Sequence, residues 1–199
     1  MAKIAKTAFE PRITNGRFDD LINIAGLYQE SGADAVASAG LLCKRTGRLG
    51  NEGYDNPSGT RVYNENAWIM GVAEDSDDIN EVIYACNTYD VQYIDDGEGN
   101  LYAVGGRTLG LPSISGRLCT YTRIDFDGQS VYRFGEGNLS AALSTNQYFT
   151  IDDGLLVPAA SAPTTQGAIY FELRGTGSFV EGNGASFGYV DVVAKTVVA

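Results

Sequence analysis

Val91-Gln92-Tyr93-Ile94, then Asp95-Asp96-Gly97-Glu98-Gly99-Asn100, then Leu101-Tyr102-Ala103-Val104: an apolar run, an acidic glycine-rich turn and a second apolar run follow directly on one another. Short runs rich in β-branched and aromatic residues, joined by glycines that supply positive φ, read as a β-hairpin. The same punctuation recurs down the chain. Tyr121 to Phe126 and Val131 to Phe134 flank a turn around Asp127-Gly128, and further strands are expected at Gln147 to Ile151, Leu155 to Val157, Ala168 to Leu173 and Tyr189 to Ala194. Pro158 to Pro163, rich in Ala, Ser and Pro, reads as a loop. The pattern begins near residue 36 and predicts a mainly β chain, an antiparallel β-sandwich or barrel-like body with at most two short helices.

Upstream the texture changes. Phe18, Leu21, Ile22, Ala25 and Tyr28 stand at helical spacing, with Asp19 and Asp20 in the first turn where the helix dipole favours acids. The run is short, so a strand remains open there. Residues 1 to 14 are polar-mixed, and Pro11 biases Glu10 toward an extended conformation, which predicts an extended N-terminal arm. Residues 15 to 199 are then the β-rich body, divisible into sub-lobes 15–109 and 116–199. An internal echo bears on that division. Ala39-Gly40-Leu41-Leu42-Cys43-Lys44-Arg45-Thr46 matches Ser115-Gly116-Arg117-Leu118-Cys119-Thr120-Tyr121-Thr122 at Gly, Leu, Cys and Thr, and Asp153-Gly154-Leu155-Leu156-Val157 repeats the Gly-x-Leu core. It fits either a duplicated β unit or the ordinary way in which strands begin.

Length and composition bound the function. The 199 residues can bury one good-sized core, and a hydrophobic share of 44% with 20% charged residues is that of a folding domain. The net charge of -11 repels phosphate backbones and anionic lipid surfaces, so neither nucleic acid nor membrane is an expected partner. The charge is uneven. Residues 1–61 carry 8 Lys and Arg against 7 Asp and Glu, whereas residues 62–199 carry 6 against 18. Residues 1–17 set Lys3, Lys6, Arg12 and Arg17 against Glu10 alone. That basic stretch, with Phe9 and Ile13 as apolar anchors, is the candidate partner-binding segment. Its order is expected to come from a neighbouring subunit, and removal of residues 1–14 is expected to leave the body folded.

Searching for chemistry narrows the classes further. The chain has no histidine, which removes the usual general base near neutral pH and the commonest metal ligand. Cys43, Cys86 and Cys119 are odd in number and lie far apart, so neither a disulfide framework nor a local zinc or redox pair is written; buried apolar cysteines in a reducing compartment are expected. Gly135-Glu136-Gly137-Asn138 and Gly175-Thr176-Gly177-Ser178 lack the Lys-Ser/Thr ending of a phosphate loop and read as turns. Asp125-Phe126-Asp127-Gly128 and Asp95-Asp96-Gly97-Glu98 lack the spaced ligands of an EF-hand. Trp68, in Asn66-Ala67-Trp68-Ile69-Met70, reads as a core anchor before a sugar-stacking platform. No cofactor, metal or catalytic residue is expected; two carboxylates across a cleft, as in a glycoside hydrolase, are the remaining enzymatic alternative.

The short basic arm, the Gly-initiated strand Ala39 to Thr46, the polar loop after it, and Trp68-Ile69-Met70-Gly71-Val72-Ala73-Glu74-Asp75 together resemble auxiliary head proteins, the decoration or cement proteins of tailed bacteriophages. The resemblance covers about residues 1–95 and implies a non-enzymatic virion protein that binds the capsid surface and braces neighbouring shell subunits. Its implied partners are the major capsid protein and neighbouring copies of itself, as a homo-oligomer or lattice-bound. Met1 to Pro11 has no apolar run of a secretory signal, so synthesis in the host cytoplasm is expected. A tail-associated or carbohydrate-binding β module is the alternative.

Overall fold

The computed structural model describes residues 6–12, 23–49, 67–74, 82–87, 93–95, 101–103, 113, 115–116, 118–143, 145–180 and 186–198. Within them the chain is mainly β, as the turn punctuation predicts, and the helical content is one 3-10 turn, Glu136–Asn138. Two sheets carry the structure.

The first sheet closes on itself. Strands β2 (Asn23–Glu30), β5 (Trp68–Val72), β4 (Leu42–Arg48), β6 (Tyr84–Asn87) and β9 (Cys119–Arg123) pair in that order, and β9 returns to β2 to complete a five-stranded barrel. The two-residue strand β3 (Ala33–Asp34) hangs on β2. Closure leaves these five strands without a free edge. The ladders described are antiparallel except β2–β5, which runs parallel. Residues 18–28, spaced like a helix, are strand where described. Leu27 and Tyr28 are both buried but face different clusters, as strand neighbours do, and pairing to three strands outweighs the local helical spacing.

The second sheet has the order β1 (Phe9–Arg12), β10 (Asp127–Gly135), β14 (Ser186–Thr196), β13 (Ile169–Val180), β11 (Tyr148–Asp152), β12 (Leu155–Ala159). One face lies on the outer wall of the barrel. Phe9, Tyr132, Phe134, Phe149, Phe171, Val190 and Val192 from the sheet pack with Leu42, Ala73, Ile83, Ala85 and Ile124 from the barrel in one cluster. Barrel and sheet therefore share a core. Backbone bonds stitch them as well: Leu42 N to Gly154 O and Gly154 N to Ala73 O.

Several sequence expectations are revised by this layout. The chain passes from barrel to sheet between β9 and β10, at residues 124–126, and β1 joins the later strands. The runs around Asp127-Gly128 are not a hairpin, because β9 pairs within the barrel and β10 within the sheet. The Asp127 carboxylate instead accepts bonds from the Gln129 and Ser130 amides and holds a bulge in β10. The hairpin β7 (Tyr93–Asp95) with β8 (Leu101–Ala103) is present as read. Gly40, Gly116 and Gly154, the shared glycines of the internal echo, all have φ between 69° and 78°. The echo thus marks one kind of left-handed turn before a strand, used in both sheets.

Candidate interaction surface

The N-terminal segment is built into the body. Ala8 N donates to the Asn138 side-chain oxygen (3.0 Å), and the Asn138 amide donates in turn to Ala39 O (2.7 Å); Asn138 is itself buried. Gly135 N and Gly137 N donate to the carbonyls of Ala8 and Lys6. Only glycine allows this approach, since a Cβ at Gly135 would stand 2.5 Å from the Lys6 oxygen and one at Gly137 2.7 Å from the Lys6 carbonyl carbon. β1 then pairs with β10 from Phe9↔Phe134 to Arg12↔Val131.

The candidate partner-binding residues are thereby redistributed. Phe9 is 2% exposed, stacked on Tyr132 and tilted against Phe134, so it is a core residue and no docking anchor. Lys6 is exposed and paired with Glu136, whose carboxyl that partner holds below the usual range, helped by a bond from Gly188 N. Arg12 contributes its backbone to β1. Lys3, Ile13, Arg17 and the side chain of Arg12 lie outside the described residues. Residues 6–12 are seated on the chain's own sheet, and local charge could not reveal this because the partner of Lys6 lies 130 residues on.

The two rims of the second sheet are also occupied. β1 carries Pro11, which has no N–H to offer, and β12 carries Pro158 and is bridged at one residue, Leu156, by Leu139↔Leu156 and by Ser140 N to Leu156 O.

On the outward face of that sheet, charges among the described residues pair with one another. Arg133 makes a two-pronged bond to Asp191 (2.7 and 2.8 Å), lies within 3.6 Å of Glu10 and stacks 3.7 Å over the Tyr189 ring. The Asp191 bond, chiefly, pushes the guanidinium pKa upward. Lys195 pairs with Glu172 and lowers its pKa, with Arg174 3.5 Å away. A glycosidase acid needs a raised pKa, so these paired carboxylates are tuned the opposite way. Beside them Tyr148 and Tyr170 form a tilted pair, 6.2 Å between centroids.

The barrel mouth differs. Trp68 shares a strand face with Met70, and Arg45 with Cys43, so both belong to the row that lines the barrel and emerge at its end. The Arg45 guanidinium lies 4.5 Å from the Trp68 centroid and 5.8 Å from that of Tyr84; Arg48, after the bulge at Thr46, lies 5.1 Å from Trp68. Trp68 is half-buried and clamped between arginines, neither a buried anchor nor a bare platform. A guanidinium stacked by its face on an aromatic ring keeps its in-plane N–H donors for other partners, and such donors can take a carboxylate bidentately. Sequence reasoning weighed Trp68 alone and missed the arginines, whose signal was their spacing three apart on β4.

Below the mouth, Cys43, Cys86, Cys119, Tyr28, Tyr84 and Tyr121 fill the barrel. Burial pushes the Cys43 thiol pKa up, and the neighbouring Cys119 thiol together with burial does the same for Cys86. Raised thiols are poor nucleophiles. A Cβ on Gly26 would meet the Met70 and Tyr121 side chains, so the interior is packed. Among the described residues no group of His, Cys, Asp or Glu is placed to hold a metal ion.

No protein-family model, curated protein or solved structure matches this chain.

Proposed function

We propose that this chain is a non-enzymatic structural protein of a tailed-phage virion, an auxiliary head protein that docks on the assembled capsid and braces neighbouring shell subunits. The observation that carries the reading is the contrast between its charges. On the sheet, Arg133 and Lys195 are tied to carboxylates of the chain itself, whereas Arg45 and Arg48 are stacked on Trp68. An arginine pair held ready at a barrel mouth, on a protein of net charge -11, suits a specific contact with carboxylates of a neighbouring subunit. Its buried, raised thiols and its lowered carboxyls support a binding role over a catalytic one.

The test is co-sedimentation with phage heads assembled without this protein. Wild type is expected to pellet with the heads, and Arg45→Ala/Arg48→Ala to pellet at least tenfold less, with the difference shrinking as salt rises. Equal pelleting of both removes the mouth from the contact, and no pelleting of wild type removes the capsid reading. The Tyr148–Tyr170 pair on the sheet favours one second reading, a carbohydrate-binding module; glycan binding lost in Tyr170→Ala would support it over the first.

A further inference from the structure

Cys86 is the penultimate residue of β6 and Cys119 the first of β9, and the β7–β8 hairpin falls between them in the sequence. The register sets Cys86 opposite Tyr121, so Cys119 is its diagonal neighbour on the same inward face. Their sulfurs are 3.8 Å apart, both buried. Cys43 sits in the same cluster but directs its thiol to Leu41 O, 3.6 Å away. Ahead of β9, Ser113 is tied to Ala37 through two bonds, Ser113 N to Ala37 O and Ala37 N to Ser113 Oγ.

We propose that Cys86 and Cys119 form a specific oxidation site, closing to a disulfide that staples β6 to β9. A disulfide needs its sulfurs about 2.05 Å apart, so the pair must close by about 1.8 Å, through rotation about χ1 and a small shift of strands already hydrogen-bonded to each other. With hydrogen peroxide as oxidant the balance is complete. One thiolate attacks the peroxide O–O bond, giving a sulfenic acid and hydroxide, which takes up the proton that the thiol gave. The second thiol then attacks the sulfenic sulfur, forming the S–S bond and expelling water, so that two thiols and one peroxide give one disulfide and two waters. Burial makes the reaction slow at neutral pH, and alkali should speed it. The 33-residue separation makes the staple worth having, because it constrains a long loop of the unfolded chain.

The native protein is treated with hydrogen peroxide at neutral and alkaline pH, then denatured, alkylated and mapped by mass spectrometry without reduction. The expected product has lost two hydrogens, links the Cys86 and Cys119 peptides and keeps one alkylatable thiol, on Cys43. Its Tm should exceed that of the reduced protein by on the order of 10 °C, reversibly on reduction. Cys43→Ser is expected to form the same bridge. Three alkylatable thiols after treatment, a bridge through Cys43, sulfinic acid at Cys86 or Cys119 in place of the bridge, or a bridged product with a lower Tm would overturn the proposal.

Discussion

The barrel interior and the larger core between barrel and sheet are built from different materials. The first holds three thiols, three tyrosines and a methionine, with Gly26 making room; the second holds Phe9, Phe134, Phe149, Phe171 and a set of Val, Ile, Leu and Ala with no polar atom but the Tyr132 hydroxyl. That hydroxyl reaches the Asp125 amide at 2.8 Å, while burial raises its pKa to about 12. The Tyr121 hydroxyl in the barrel is buried with no hydrogen-bond partner of ordinary geometry, only the Cys86 thiol beside it, and burial pushes its pKa up strongly. The difference teaches where stability resides. Hydrogen-bond closure defines the barrel, so its interior tolerates soft and imperfect packing, whereas the sheet is held to the barrel by aromatic burial and by the N-terminal strand.

The sharpest way to break the comparison is Phe9→Ala, which hollows the shared core at its rim. It should cost about 3 to 5 kcal/mol by urea unfolding, the range for deleting a buried aromatic. A loss below about 1 kcal/mol would mean that β1 contributes little. Asn138→Ala should cost less, about 2 to 3 kcal/mol in the same measurement, because it strips buried partners from Ala8 N and Ala39 O without opening a large cavity. A value near zero would show water replacing both bonds.

On the sheet face the effect is smaller and depends on pH. Glu172 has its folded pKa depressed by Lys195, so the pair adds stability above the ordinary carboxyl value of 4.5 and loses it as pH falls through the lower folded value. Glu172→Gln should therefore be less stable than wild type at pH near 6, by less than about 1 kcal/mol, with the difference vanishing as pH falls below the depressed folded value. A deficit that persists in acid would point to packing. The smallest effect belongs to the barrel: Tyr121→Phe removes a hydroxyl that gains nothing where it sits, so stability should hold or rise by up to about 1 kcal/mol. A clear loss would reveal a partner for that hydroxyl.

Much of the fold was legible because strand punctuation is local. Gly97 and Gly99 mark the β7–β8 turn, and Gly154 marks the turn before β12, in the residues themselves. What was not legible is which strand pairs with which. Tyr121 to Phe126 and Val131 to Phe134 look like the arms of a hairpin, yet one closes a barrel and the other joins a sheet through partners near residues 9 and 190. The same limit hid the N-terminal strand. Lys3, Lys6, Arg12 and Arg17 form an obvious basic cluster, while the features that seat residues 6–12, Gly135, Gly137 and Asn138, read as one more turn. The three cysteines likewise converge only because the barrel closes, 76 residues separating Cys43 from Cys119. Of the interaction surface, Trp68 was visible as unusual, but its clamp of arginines needed the β4–β5 register and its bulge.

The central claim is that the N-terminal segment is a built-in strand of a single barrel-and-sheet core, not an arm ordered by a partner. Amide hydrogen exchange on the isolated protein, followed by NMR, tests it residue by residue. The Ala8, Gly135 and Gly137 amides, bonded to Asn138, Ala8 and Lys6, should be protected in the same class as Leu42 and Gly154, which stitch barrel to sheet. Exchange of those three at the rate of an unfolded chain, while Leu42 and Gly154 stay protected, would contradict it.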